Sequence, residues 1–360
     1  MHPVSRQAHP IHARQRSPLR LSLALVAALS VAPAMAVDVG DIAVHGYGHT
    51  SYFREDGSGS WDDSLVSLLF TAEVADRTRV WVQLHNTASV SHLDWAYVDY
   101  RVNAALTLRG GQIKLPIGLY NEIIDARFLQ QSTLPPLMYQ DGSSFTYENM
   151  RGVNASLTQA LGTGSIVLTA YTGEVAPSPE TPPTTVYHNL TGANVTYTPV
   201  EGLRLMASGF RSRVEESDSN LPVFGKGVNA VRLLSADYVN EHWDLKAEAG
   251  RSSFNGQKSR TAYAQVAYAV NDAIKPFVRY DTIRIGDAPG DRSRQTTLTL
   301  GLTYKVNDNV ALRLEGHRNA GYALAYSQWL ASSPGGTPDP DAQPAHSHWN
   351  MLGASVNFIF

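Results

Sequence analysis

The sequence predicts an all-β protein. It reads as a single transmembrane antiparallel β-barrel of about sixteen strands, with short periplasmic turns at one end and long outer loops at the other. Three observations predict it. Polar and apolar residues alternate along most of the chain. Short and long connections alternate between the segments that carry this pattern. An export signal precedes them all.

The export signal is local. Arg14, Arg16 and Arg20 stand before the apolar run Leu21 to Leu29, and Ala34-Met35-Ala36 supplies the small-x-small pattern that signal peptidases cleave. Residues 1–36 are therefore expected to be a signal peptide, and residues 37–360 one barrel domain. The run is short for a membrane span, and Pro33 follows it. Beyond it no stretch is long and apolar enough for a membrane helix. Removing the signal takes four arginines and no acid. That leaves 25 Lys and Arg against 32 Asp and Glu, a net charge of −7. An acidic chain of this kind argues against nucleic acid as a partner.

The strands follow from period two. Thr297 to Tyr304 alternates polar and apolar over its whole length, and His242 to Ala249 does the same. In a membrane barrel the apolar stripe meets lipid and the polar stripe lines the lumen. Charged residues make up 17% of the chain, below the ~25% of soluble domains, as expected when one face of every strand is lipid-facing. The pattern places strands at 42–54, 63–75, 78–88, 92–103, 105–115, 148–159, 164–174, 188–199, 202–213, 228–240, 242–254, 260–271, 273–286, 294–307, 309–322 and 347–360. Short connections fall near 76, 104, 162, 201, 241, 272 and 308; the brief one near 90 interrupts the series of long ones.

The short connections repeat a phrase. Tyr100-Arg101-Val102-Asn103, Tyr238-Val239-Asn240, Tyr268-Ala269-Val270-Asn271 and Tyr304-Lys305-Val306-Asn307 each precede a new strand, and Tyr197 fits the same series. Asn suits the turn, and Tyr suits the level of the lipid headgroups. The last strand puts Leu352, Ala354, Val356, Phe358 and Phe360 on one face, directed to lipid. A sheet in hydrocarbon cannot leave an edge unpaired, so this strand is expected to close on the first. The paired glycines Gly110-Gly111 suggest a bulge. The Pro-, Gly- and Asp-rich segment Ser332 to Pro344 suggests a flexible outer loop.

The most distinctive stretch is Gly111-Gln112-Ile113-Lys114-Leu115-Pro116-Ile117-Gly118-Leu119-Tyr120-Asn121-Glu122. With Leu134-Pro135-Pro136 and Tyr147-Glu148-Asn149-Met150-Arg151-Gly152-Val153, it resembles Gram-negative outer-membrane porins of the phosphate-selective O and P type. The resemblance implies a passive-diffusion channel in the outer membrane and a homotrimer, with Lys114, Pro116 and Gly118 as the strand-end motif. It also implies that the long connection 116–147 folds into the lumen. Opposed charges across a pore select small solutes by their field. The loop carries Glu122, Asp125, Arg127 and Asp141; Glu122, Asp125 and Arg127 are then expected to face Arg109, Lys114 and Arg151 on the wall, in a passage for small polar or anionic solutes.

Parity offers further lumen candidates: Arg204 on one strand, Lys246 and Glu248 with Asp244 on another, Lys275, Arg279 and Asp281 on a third, and Arg313, Glu315 and His317 on a fourth. Each reads equally well as a salt bridge bracing the wall. The absence of Cys excludes disulfides and thiolate chemistry. His346 and His348 lie close together, but no spacing completes a metal site, so no metal and no cofactor are expected. No nucleophile stands in a spacing that marks a catalytic base beside it. A barrel-borne enzyme and a secreted β-rich binding protein remain as alternatives to the channel.

Overall fold

The computed structural model describes residues 42–360 except 56–57, 62–63, 88–89, 141–142, 144, 177–184, 217–226, 255, 287–292, 322 and 325–346. The expected signal peptide, Asp141 and the segment Ser332 to Pro344 lie outside the described residues.

Seventeen strands form one antiparallel sheet. They are β1 (Ile42–Glu55), β2 (Ser58–Trp61), β3 (Leu65–Ala75), β4 (Thr78–Thr87), β5 (Ser91–Arg101), β6 (Leu106–Lys114), β7 (Asn149–Leu161), β8 (Gly164–Val175), β9 (Thr185–Val200), β10 (Leu203–Glu216), β11 (Gly227–Val239), β12 (Trp243–Phe254), β13 (Gln257–Tyr268), β14 (Ile274–Arg284), β15 (Arg294–Lys305), β16 (Val310–Gly321) and β17 (His348–Ile359). Strand β2 is four residues long and pairs only with β1; the other sixteen make the closed barrel and coincide with the expected strands to within a few residues. Closure joins β1 to both β3 and β17. Phe360 N–H donates to Gly46 O and Gly46 N–H to Phe360 O, both at 2.9 Å, so the seam is paired to the last residue.

The barrel wall is inside-out relative to a soluble sheet. Leu314 is 62% exposed, whereas Glu315 beside it is 1% exposed. Leu298, Leu300 and Leu302 are likewise exposed, and Thr297 and Thr299 between them are buried. The apolar stripes face away from the barrel interior and the polar stripes face into it, the arrangement of a transmembrane barrel.

The repeated turn phrase has one geometry. The Oδ1 of Asn103 accepts from the backbone N–H of Ala105 and Leu106, each at 2.9 Å. Asn240, Asn271 and Asn307 accept from the second and third following N–H in the same way. The side chain thus satisfies donors that a tight turn leaves unpaired. Tyr100, Tyr268 and Tyr304 point outward at the same end of the barrel and are exposed.

The expectation of a bulge at Gly110-Gly111 fails. Both ladders of β6 run through it without a register shift. Gly111 instead takes φ 139°, and a Cβ there would lie 2.3 Å from the Ala96 carbonyl oxygen. Close backbone approach is what the glycine permits. A register shift does occur between Gln83 and Leu84 opposite β5, where Asp94 is the extra residue.

Candidate functional site: the loop folded into the barrel

The connection after β6 enters the barrel and crosses its interior. It carries three short 3-10 turns, Asn121–Ile123, Arg127–Leu129 and Leu137–Tyr139. Its two ends are stapled by Asn121, whose side-chain amide donates to the carbonyls of Leu115, Tyr147 and Glu148 at 2.8, 3.0 and 3.1 Å. Its apolar side chains, including Ile117, Leu119, Met138 and Phe145, pack on Tyr171, Phe210, Leu233 and Tyr263 of the inner wall. One part of the interior is therefore a dry core. Parity along the strands alone implied a lumen that was wet throughout. Large apolar side chains at inward positions of β8–β14 are matched by the apolar half of the loop, which removes both from water.

Inward charges on the far wall hold the loop by its backbone. Glu248 on β12 accepts four hydrogen bonds: from Leu119 N–H at 2.9 Å, Tyr139 Oη at 2.6 Å, Tyr263 Oη at 2.8 Å and Ser235 Oγ at 2.5 Å. Arg279 on β14 pairs with Asp281 at 2.8 Å and donates to Leu134 O at 2.9 Å. Asp281 accepts from Leu137 N–H at 3.2 Å. Arg313 on β16 donates to Phe128 O at 3.2 Å and also to Gln130 O. Glu315 accepts from Ser132 Oγ at 2.8 Å and from Thr133 N–H, and lies 3.2 Å from His317. Gln131 reaches Asp244, which is also paired with Lys246. Loop backbone groups that would be stranded away from water are satisfied this way. Lys275 shares the inward face of β14 nearer the short turns and is half-buried.

The six expected constriction residues divide. Asp125 meets Lys114 at 2.5 Å, and Lys114 also pairs with Asp94, at 3.1 Å, and with Glu148. Glu122 is exposed inside the barrel, within electrostatic reach of Arg109 and Arg204. Arg109 makes a bidentate pair with Asp99 at 2.7 and 3.0 Å and stacks 4.1 Å from the Tyr97 ring. Arg204 makes a bidentate pair with Asp237 at 2.8 and 3.0 Å. Arg127 bonds the loop itself, donating to Thr133 O at 2.7 Å, and stands on the side of Arg313 rather than of Arg109. Arg151 does not face the loop. It has the parity opposite to the buried Met150, is exposed, and bonds Gln112 at 2.9 Å. Counting parity back from Met150 would have placed it outside.

Sequence reasoning missed the partners: Asp94, Asp99, Asp237, Tyr139 and Tyr263. It also missed a mixed cluster in which groups of His85, Asp94 and Asp125 lie within 4.8 Å of one another. Asp94 carried one signal, because it breaks the alternation of β5.

No family model matches the chain, and no curated protein does. Solved structures do. The in-vitro folded, trimer form of OmpT, an outer membrane protein of Vibrio cholerae, is 10% identical with a TM-score of 0.57, over 89% of this chain and 99% of that one. An anion-selective porin from Comamonas acidovorans is 13% identical with a TM-score of 0.60, over 89% and 99%. Salmonella typhi OmpF in complex with daunomycin is 11% identical with a TM-score of 0.61, over 90% and 100%. At such identities the likeness is one of fold: this chain is a sixteen-stranded barrel of the outer-membrane kind.

Proposed function

We propose that the protein is an outer-membrane porin of a Gram-negative bacterium, a channel for passive diffusion of small hydrophilic solutes and ions, narrowed by the loop after β6. One observation carries the reading. Charges that point into the barrel remain wet: the side chains of Arg109 and Arg204 are 28% and 42% exposed, and Glu122 of the loop is exposed within their electrostatic reach. A carboxylate opposite two guanidiniums sets a field across the passage, which favours small polar solutes over apolar ones of equal size. Each arginine is matched by its own aspartate, Arg109 by Asp99 and Arg204 by Asp237, so Glu122 leaves this part of the passage with one net negative charge.

The outer-membrane location rests on the exposed apolar stripes, the paired seam and the signal-like residues 1–36. Trimerisation rests on the sequence resemblance and on the trimer form of the Vibrio cholerae neighbour.

An enzymatic reading has one file of suitable residue types, Thr299, His317 and Glu315, with Thr299 Oγ1 3.0 Å from His317 Nδ1. Thr299 is wholly buried, so no substrate carbonyl reaches its oxygen.

Reversal potentials across a KCl gradient test the proposal. The wild-type channel should pass ions, and Glu122→Gln should shift its selectivity toward chloride. A conducting barrel whose selectivity ignores Glu122, Arg109 and Arg204 alike would contradict the constriction.

A further inference from the structure

Three carboxyl groups gather on one lysine at the root of the loop. Asp94, Asp125 and Glu148 all pair with the single ammonium of Lys114. Asp94 is 2% exposed, and the Lys114 side chain is 9% exposed. Asp94 also accepts from Gln83 Nε2 at 2.6 Å and from Asn149 Nδ2 at 2.8 Å, which holds its carboxyl in place beside Asp125.

The His85 imidazole stands beside these carboxylates, stacked on the His92 ring at 4.8 Å between centroids. A ring nitrogen of His85 and one oxygen each of Asp94 and Asp125 lie within 4.8 Å of one another. The buried Nδ1 of His85 accepts and donates no hydrogen bond among the described residues, and neither does that of His49. His49 is 6% exposed and within electrostatic reach of both Asp125 and His85. One imidazole with two carboxylates is a donor set for borderline divalent ions.

The spacing is close to what such an ion needs. Ligand atoms about 2.0 Å from a tetrahedral ion stand about 3.3 Å from each other. Rotamer changes at His85 and Asp125 would bring the ligand atoms together.

We propose that His85, Asp94 and Asp125 form a binding site for a divalent transition-metal ion of the zinc class, which takes the place of the Lys114 ammonium between the two aspartates. The ammonium then turns to Glu148. Since His85 and Asp94 belong to the wall and Asp125 to the loop, the ion ties the loop to β4 and β5. The site does not depend on whether the barrel conducts.

Titration of the full-length folded barrel in detergent with ZnCl2, and with CoCl2 followed by visible absorption, tests the proposal directly. One ion per chain should bind, with the intense visible bands of low-coordinate cobalt. His85→Ala should weaken binding about 100-fold or more, the upper end of what removing even an outer-shell partner costs. Lys114→Met, which removes the competing cation, should tighten it. No saturable binding, or binding whose affinity neither variant shifts, would overturn the site.

Discussion

The Tyr139 hydroxyl donates to the Glu248 carboxylate across 2.6 Å, joining the loop after β6 to the opposite wall, on β12. The same carboxylate accepts from Leu119, Tyr263 and Ser235. Four buried donors thus depend on one side chain. Glu248→Ala leaves them unsatisfied at ~1–3 kcal/mol each for those that find no water. The barrel should still close, because no ladder bond is lost. The loop should detach, seen as larger and noisier channel openings and as faster amide exchange at Leu119.

Gly118 lies on the same contact. Its φ is 61°, and a Cβ would stand 1.9 Å from the Tyr139 hydroxyl oxygen and 2.8 Å from a Glu248 oxygen. Gly118→Ala costs ~1–2 kcal/mol for the left-handed backbone alone. It also pushes Tyr139 off its acceptor. It should reproduce the Glu248→Ala phenotype in weaker form, measured as open-channel noise; a wild-type record would show that the loop adapts.

Burial pushes the Asp125 carboxyl up, but the Lys114 ammonium 2.5 Å away outweighs it and holds the group below its ordinary value of 3.8. A depressed carboxylate stabilises the fold above its unfolded value and loses that contribution as pH falls below it. The part of the Tm difference between wild type and Asp125→Asn that comes from the Lys114 pair should shrink as pH falls below about 4. A difference that shrinks already between pH 7 and 5 would place the stabilisation elsewhere.

Much of the fold was legible because lipid reverses the usual rule without changing its period. Alternation at Thr297 to Tyr304 marks β15, and a Tyr two or three residues before an Asn marks the turns, since Asn103, Asn240, Asn271 and Asn307 act on their own next residues. The loop was legible only as a charged insertion. Its anchors are distant in sequence: Leu119 to Glu248, Thr133 to Glu315 and Leu137 to Asp281 are separated by more than a hundred residues. Local pattern carries no information on such pairings. Arg151 follows the inward Met150 directly along β7, so strand parity, which its motif does not carry, turns it outward. The strand β2 escaped because Ser58–Trp61 has no alternation to detect.

Single-channel recording with the purified, heat-modifiable barrel in a planar bilayer bears most directly on the account. Discrete, stepwise conductance that rises with salt concentration is the expected result. The step size should grow when Glu248→Ala frees the loop. A correctly folded barrel that inserts but never produces steps, in wild type and Glu248→Ala alike, would contradict the channel.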